Sequence, residues 1–250
     1  MRKISSVLVI AMLLAVFSAG CMSEPNPKAD LMELNSADSL TTGFSIKMFD
    51  PNSAGVYDMV DMWVSVESKN GKIVREAINF TVTMFTLKTH GYIYFENEST
   101  FRGYFAIDDP RNATLYTSEK EFMNKVGTFV TLTVPRDDQG WIINSDILKK
   151  LTFKKTGNNE YTAIMNVTNK EDLSKIMGTE ITEEDMKKLE SFQYKVEVVY
   201  RDGKLHTVRH YLIYKTPNVE KPLMYIITYS GVKKGFTKPG WVDEMMSSEK

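Results

Sequence analysis

Two dipeptides, Asn70-Gly71 and Asp202-Gly203, each split a long run rich in β-branched and aromatic residues, and they constrain the fold more than any other feature of the chain. Their residues tolerate the positive φ of a type I′ turn, so each run reads as a β-hairpin. Thr156-Gly157-Asn158-Asn159 and Thr89-His90-Gly91 are looser turns of the same kind. Further strands are predicted over 44–49, 92–96, 102–108, 113–117, 128–134, 160–167 and 223–230. With the two hairpins that makes roughly ten or eleven strands, joined by short links and therefore mostly antiparallel.

Helices are few. One is predicted over Lys28 to Leu40, with Leu31, Leu34 and Leu40 available for packing. Ser145 is placed to cap a short helix carrying Ile147, Leu148 and Leu151, and Asn169 to cap another that ends at Gly178. Thr182 and Asp185 form a capping-box pattern ahead of Met186 and Leu189. The three later helices fall between sheet segments, where they could cover one face.

Pairing the hairpins outward from their turns assigns their faces. About Asp202-Gly203, Tyr200 faces Leu205, Val198 faces Thr207, Val196 faces Arg209, Tyr194 faces Tyr211 and Phe192 faces Ile213, all on the buried side. Gln193, Lys195, Glu197, His206 and His210 then face water. The first hairpin buries Tyr57, Met59, Trp63, Ile78, Phe80, Val82 and Met84, together with Asp61. Asn79 and Thr81 point the other way, and Asn166 and Thr168 share a side opposite Met165 and Val167. Arg209 and Asp61 are the odd members, because a charge directed at an apolar face needs a partner or a water-filled space. They pair with each other, or the register is displaced by one.

The N-terminus reads as a processing segment. Arg2 and Lys3 precede an apolar run of eleven residues, Val7 to Phe17, and the small residues Ser18, Ala19 and Gly20 follow. This is the order of a secretory signal, and the run is short for a permanent span, which needs about 20 apolar residues. An uncleaved anchor is the alternative. The only cysteine, Cys21, comes next, and Pro25 and Pro27 make residues 22–29 a short extended tether.

Removing residues 1–20 leaves 29 basic against 32 acidic residues, without the basic clustering of a nucleic-acid binder. Four sequons, at Asn79, Asn97, Asn112 and Asn166, are candidate glycan acceptors in an exported chain. His206 and His210 lie about 13 Å apart on a strand, too far to share a metal ion. His90 sits in a turn with no cysteine to join it. No nucleophile elbow or phosphate loop occurs, so no catalytic residue, metal or cofactor is assigned.

Ser18-Ala19-Gly20-Cys21 is similar to the lipobox of prokaryotic lipoproteins, with Ser18 in place of the usual Leu. That resemblance implies diacylation of Cys21 and anchorage on the outer face of the cytoplasmic membrane, where two acyl chains hold stably. A lipobox with four sequons suits an archaeal surface protein. The order of elements over residues 28–235, and above all Trp141 to Met177, resembles the LolA and LppX superfamily of lipoprotein carriers and lipid-binding lipoproteins.

That resemblance implies a mainly β (α+β) fold: a strongly curved antiparallel sheet forming an unclosed barrel, with an N-terminal helix and short lid helices. Residues 30–235 form one domain and 236–250 a C-terminal tail. Its concave face implies an apolar or amphipathic ligand such as lipid, and the hairpin faces would line it with Trp63, Phe80, Met84, Tyr194 and Tyr211, with Arg209 at the mouth. The aromatic and methionine content, fifteen Met in all, fits an adaptable apolar surface. The alternative is a non-enzymatic surface interaction module with the same sheet closed on a dry core. The ligand and any surface or transport protein partner are not named by the sequence.

Overall fold

The computed structural model describes residues 24–51, 55–84, 87–133, 140–217 and 219–247, with the side chains of 84 and 128–133 outside that description. Helix α1 (Pro27–Asn35) starts where Asn26 accepts a hydrogen bond from the Ala29 N–H and Pro27 pre-sets the first turn. It buries Leu31 and Leu34. It stops at Asn35, short of Leu40, which instead packs from strand β1 (Ser39–Asp50).

The strands that follow are β2 (Gly55–Lys69), β3 (Lys72–Met84), β4 (Leu87–Glu96), β5 (Arg102–Ile107) and β6 (Thr114–Tyr116). Next come α2 (Glu119–Thr133), α3 (Ser145–Lys150), β7 (Lys154–Lys155), β8 (Glu160–Asn166), α4 (Lys170–Met177) and α5 (Glu183–Lys187). Strands β9 (Ser191–Arg201), β10 (Lys204–Lys215) and β11 (Leu223–Lys234) precede a last helix, α6 (Gly240–Ser247). All eleven strands form one antiparallel sheet in the order β6-β5-β4-β3-β2-β1-β11-β10-β9-β8-β7. The mainly β class, N-terminal helix, short covering helices and unclosed sheet match the expectation, but the sheet is not strongly curled, where strong curvature was expected.

Both hairpin turns form where the glycine dipeptides place them. Asn70, Gly71, Asp202 and Gly203 all have positive φ, between 52° and 73°. The registers beyond them differ from simple pairing. In β3 the pairing jumps from Ser68 opposite Ile73 to Glu67 opposite Arg75, so Val74 is a bulge residue. In β10 it jumps from Leu205 opposite Tyr200 to Thr207 opposite Val199, making His206 the bulge.

Because side chains alternate with period two, one extra residue sends everything beyond it to the other face relative to the partner strand. Trp63 consequently faces Asn79, not Ile78, and Arg209 and Tyr211 stand opposite Glu197 and Lys195. Arg209 and Tyr211 therefore lie on the face away from Tyr194, and Val208, His210 and Leu212 take the buried positions. Of the two alternatives for Arg209, the displaced register holds, and Arg209 approaches Glu197 at 3.6 Å.

One face of the sheet carries two apolar clusters. The first joins Tyr194, Val196, Val198, Val208 and Leu212 to Leu31 and Leu34 of α1 and to Ile147 and Leu148 of α3. The second joins Phe44, Met62, Ile78, Phe80, Ile93 and Phe95 to Phe122 and Val126 of α2. Ile227 and Tyr229 of β11 touch both.

Helix α2 occupies 128–133, where a strand over 128–134 was expected from the β-branched run. Phe122 and Val126, one turn apart and fully buried, dock the preceding residues on the sheet, and a helix once nucleated extends cheaply. Gly103 makes room for the docking, since a Cβ there would lie 2.5 Å from the Phe122 ring.

The opposite face is covered where α6 places Val242 and Met245 against Ala77, Tyr94, Tyr104 and Ala106, with Trp63 and Tyr92 beside them. The segment expected as a tail thus includes a packed helix. Its approach is fixed by the Thr237 N–H, which donates to Ser65 Oγ at 2.7 Å, and by Arg75, 4.9 Å over the Phe236 ring.

Candidate functional site

A cavity of about 80 Å³ lies where Ile227 and Tyr229 join the two clusters. Its floor is the sheet, with Tyr194 from β9, His210 and Leu212 from β10, and Ile227 and Tyr229 from β11. Its roof is Ile142, Ile143 and Asn144 with Ile147 of α3, and α4 supplies Lys175 and Ile176.

The roof is held by short, specific contacts. Asn35 at the end of α1 grips the bent segment before α3: its Nδ2 donates to the Ile143 carbonyl at 2.6 Å, and its Oδ1 accepts from the Ile142 N–H at 3.2 Å. Trp141 Nε1 donates to the Ala37 carbonyl at 2.6 Å. Gly140, at φ +81°, fits beside Asn35, because a Cβ there would lie 2.4 Å from the Asn35 amide nitrogen. Asn144, rather than Ser145, caps α3 by accepting from the Asp146 and Ile147 N–H groups.

Two ion pairs tie α3 to α4. Lys175 Nζ sits 2.8 Å from Asp146, and Lys150 Nζ 2.5 Å from Asp172. Hydrogen bonds from Lys175 and Lys149 hold the Asp146 carboxyl down at about 2. Burial alone would raise Asp172, but the bonds from Lys150 and Asn169 outweigh it and keep its carboxyl below the usual range.

The polar groups in the floor are uncharged. Tyr194 Oη and His210 Nδ1 are 2.5 Å apart. His210 is 5% exposed, and its Nε2 is buried with no hydrogen-bond partner among the described residues. Burial pushes the imidazole down to about 3 and Tyr229 up to about 12. Tyr194 is raised by burial and by Tyr229 beside it. The apolar floor continues along β1 and β11, where half-buried Ile46 faces Ile227 and half-buried Met48 faces Tyr225. Tyr225 in turn stacks on Tyr214, rings 6.1 Å apart.

Of the residues expected to line a site, Tyr194 borders this cavity. Phe80 is fully buried in the second cluster and packed across Gly91, not at the cavity. Trp63 lies on the opposite face, against the α6 layer. Met84 ends β3 with its side chain outside the described residues. Tyr211 and Arg209 belong to a polar group on the opposite face, where the Tyr211 hydroxyl donates to Glu197 at 2.6 Å and Lys195 pairs with the same carboxylate at 2.7 Å.

Cys21 lies outside the described residues. Asn112 and Asn166 are exposed, whereas Asn79 and Asn97 are half-buried, with Asn97 Nδ2 donating to Glu119. Phe80 in the core with Asn79 on the other side is the arrangement expected. His210, Tyr229, Leu212 and the roof isoleucines were not anticipated as site residues. The alternation Val208, His210, Leu212, Tyr214 was an available signal, because it contains no residue charged at neutral pH, whereas the competing set contains Arg209.

Among the described residues, no group of three or more His, Cys, Asp or Glu side chains is placed to hold a metal ion, and no helix is long and apolar enough to cross a membrane. No family model and no curated protein matches the chain. Among solved structures, the chain is distantly similar to a DUF1329 family protein from Desulfovibrio piger, at 9% identity over 89% of this chain and 96% of that one, with a TM-score of 0.30.

Proposed function

We propose that the chain is an exported lipoprotein, anchored through Cys21 to the outer face of the cytoplasmic membrane, which binds an apolar or amphipathic ligand without transforming it. The observation that carries this reading is the cavity at the junction of the two clusters, whose apolar floor runs on to the half-buried Tyr214 and Tyr225. At about 80 Å³ it is smaller than the roughly 300 Å³ at which drug-sized pockets begin. It holds one end of a ligand, and the rest of an acyl chain lies along β1 and β11 or enters as the roof lifts.

The test is uptake of a fluorescent fatty acid by purified protein. Wild type takes it up, and Ile227→Trp, which fills the cavity from the floor, weakens uptake at least about tenfold. Overpacking a filled core would instead cost about 1 to 3 kcal/mol of stability. Cys21→Ser is expected to move the protein from the membrane to the soluble fraction.

A surface interaction module is the second reading, favoured by the exposed Val56, Tyr57, Met59 and Leu87 at one end of the β2–β4 strands. Wild type that takes up no apolar probe, combined with an Ile227→Trp variant that unfolds more easily, would select it.

A further inference from the structure

We propose that the Tyr194–His210 pair is the polar recognition element of the cavity, with His210 Nε2–H donating a hydrogen bond to an uncharged oxygen of the ligand, such as a ketone, ester or hydroxyl oxygen. This rests on reading the cavity as a ligand site.

The tautomer follows from counting. If the Tyr194 hydroxyl donates to Nδ1 across their 2.5 Å contact, the proton of the neutral ring sits on Nε2, and one buried donor remains unmatched. In the other tautomer Nδ1–H donates to the phenol oxygen, which leaves both the phenol proton and the Nε2 lone pair without partners. The phenol is also the more acidic donor and the imidazole nitrogen the better acceptor. Tyr194 therefore fixes the ring so that it presents a donor.

An unmatched buried donor is costly to keep in a merely structural core. Here His210 lines the cavity beside Leu212, Ile227, Ile142 and Ile147, with Asn144, Lys175 and Tyr229 as the other polar side chains besides Tyr194. An oriented donor beside isoleucine and leucine side chains discriminates amphipathic ligands by the oxygen they carry.

The acceptor is uncharged because the cavity holds no cation to spare. Lys175, which lines it, is engaged by Asp146 at 2.8 Å, and Asn144 spends its side-chain oxygen on the α3 cap. A carboxylate at His210 would lose its water without gaining a counter-ion. Arg209, expected at the mouth, lies on the other face.

The experiment measures displacement of a fluorescent apolar probe from the full chain by n-octane, 2-octanone, 1-octanol and octanoate, in wild type and in His210→Phe. In the variant, 2-octanone and 1-octanol are expected to lose about tenfold in affinity, while n-octane loses nothing. In parallel, long-range ¹H–¹⁵N spectra of wild type should show a neutral Nε2–H tautomer whose Nε2 resonance moves on addition of 2-octanone.

Equal losses for octane and octanone, or none for either, would overturn the proposal and leave the ligand site standing. A preference for octanoate that His210→Phe abolishes would overturn it in favour of an anion site. If no compound displaces the probe, or the probe does not bind wild type, both readings fall. Should His210→Phe fail to fold, the wild-type spectrum decides. An Nε2 resonance unmoved by octanone assigns that donor to bound water or to the opposite tautomer, and overturns the proposal.

Discussion

His210 stays neutral in the folded protein far below the ordinary histidine range, down to about 3, because burial denies the imidazolium its water. The charged side chain that shares its cavity, Lys175, is a cation paired with Asp146 and gives the ring no counter-ion. The unfolded chain takes up a proton near the ordinary histidine value of 6.5, whereas the folded chain does not. Stability is therefore unaffected above that pH and falls as the pH drops from 6.5 towards 3. Urea midpoints between pH 7.5 and 5 should decline in wild type more steeply than in His210→Phe, and parallel slopes would contradict the burial. The residue was hard to see in the sequence because it was assigned to the wet face by a register that ignored a bulge. The presence of Arg209 in the competing buried set was the visible sign of error, since an unpaired guanidinium against an apolar face is too costly to be the better choice.

At the level of elements, the two turns and the caps at Asn169 and Thr182 were legible, whereas the α3 cap was placed one residue late and the bulges were not seen. A type I′ turn needs particular residues, so Asn70-Gly71 and Asp202-Gly203 announce themselves, whereas Val74 and His206 sit at bulges with nothing in their chemistry to mark them. Thr182 does form its capping box with Asp185, and Asn169 caps α4, because short-range hydrogen bonds are written in adjacent residues. The 128–134 run was misread for the opposite reason: its β-branched residues favour a strand locally, and the docking of Phe122 and Val126 decides against it. The α3–α4 roof is the element with most leverage on the cavity. Its Asp172 side chain is only 10% exposed, accepts from Lys150 and Asn169, and is joined to them at 2.5 and 3.1 Å. Asp172→Ala is expected to destabilise the protein by about 1 to 3 kcal/mol. Amide exchange should accelerate in 145–150 and 170–177 ahead of the β9–β10 strands, and exchange that rises uniformly instead would show that the roof does not move as a unit.

In the whole molecule, the mainly β class and the leading helix could be read from the chain, but the division of labour between faces could not. The back face around Trp63, Tyr94 and Tyr104 depends on α6, eight residues whose Val242 and Met245 are wholly buried. Truncation before residue 236 should expose that aromatic surface, lower solubility and increase binding of a hydrophobic dye, with gel filtration as the check.

The strand order carries a further consequence. β1 to β6 follow one another as a meander, β7 to β11 form a second meander, and among the described residues the two are hydrogen-bonded into one sheet where β1 pairs with β11, Phe44 opposite Tyr229 and Ile46 opposite Ile227. Closing that contact spans nearly the whole chain, so its loop entropy is the largest in the sheet and it comes late in folding. A polypeptide emerging N-terminus first waits with β1 unpaired on that side until β11 arrives. Pulse-labelled amides in 39–50 and 223–234 on the shared edge should be the last to gain protection, and the cavity at that junction then exists only once the molecule is otherwise assembled.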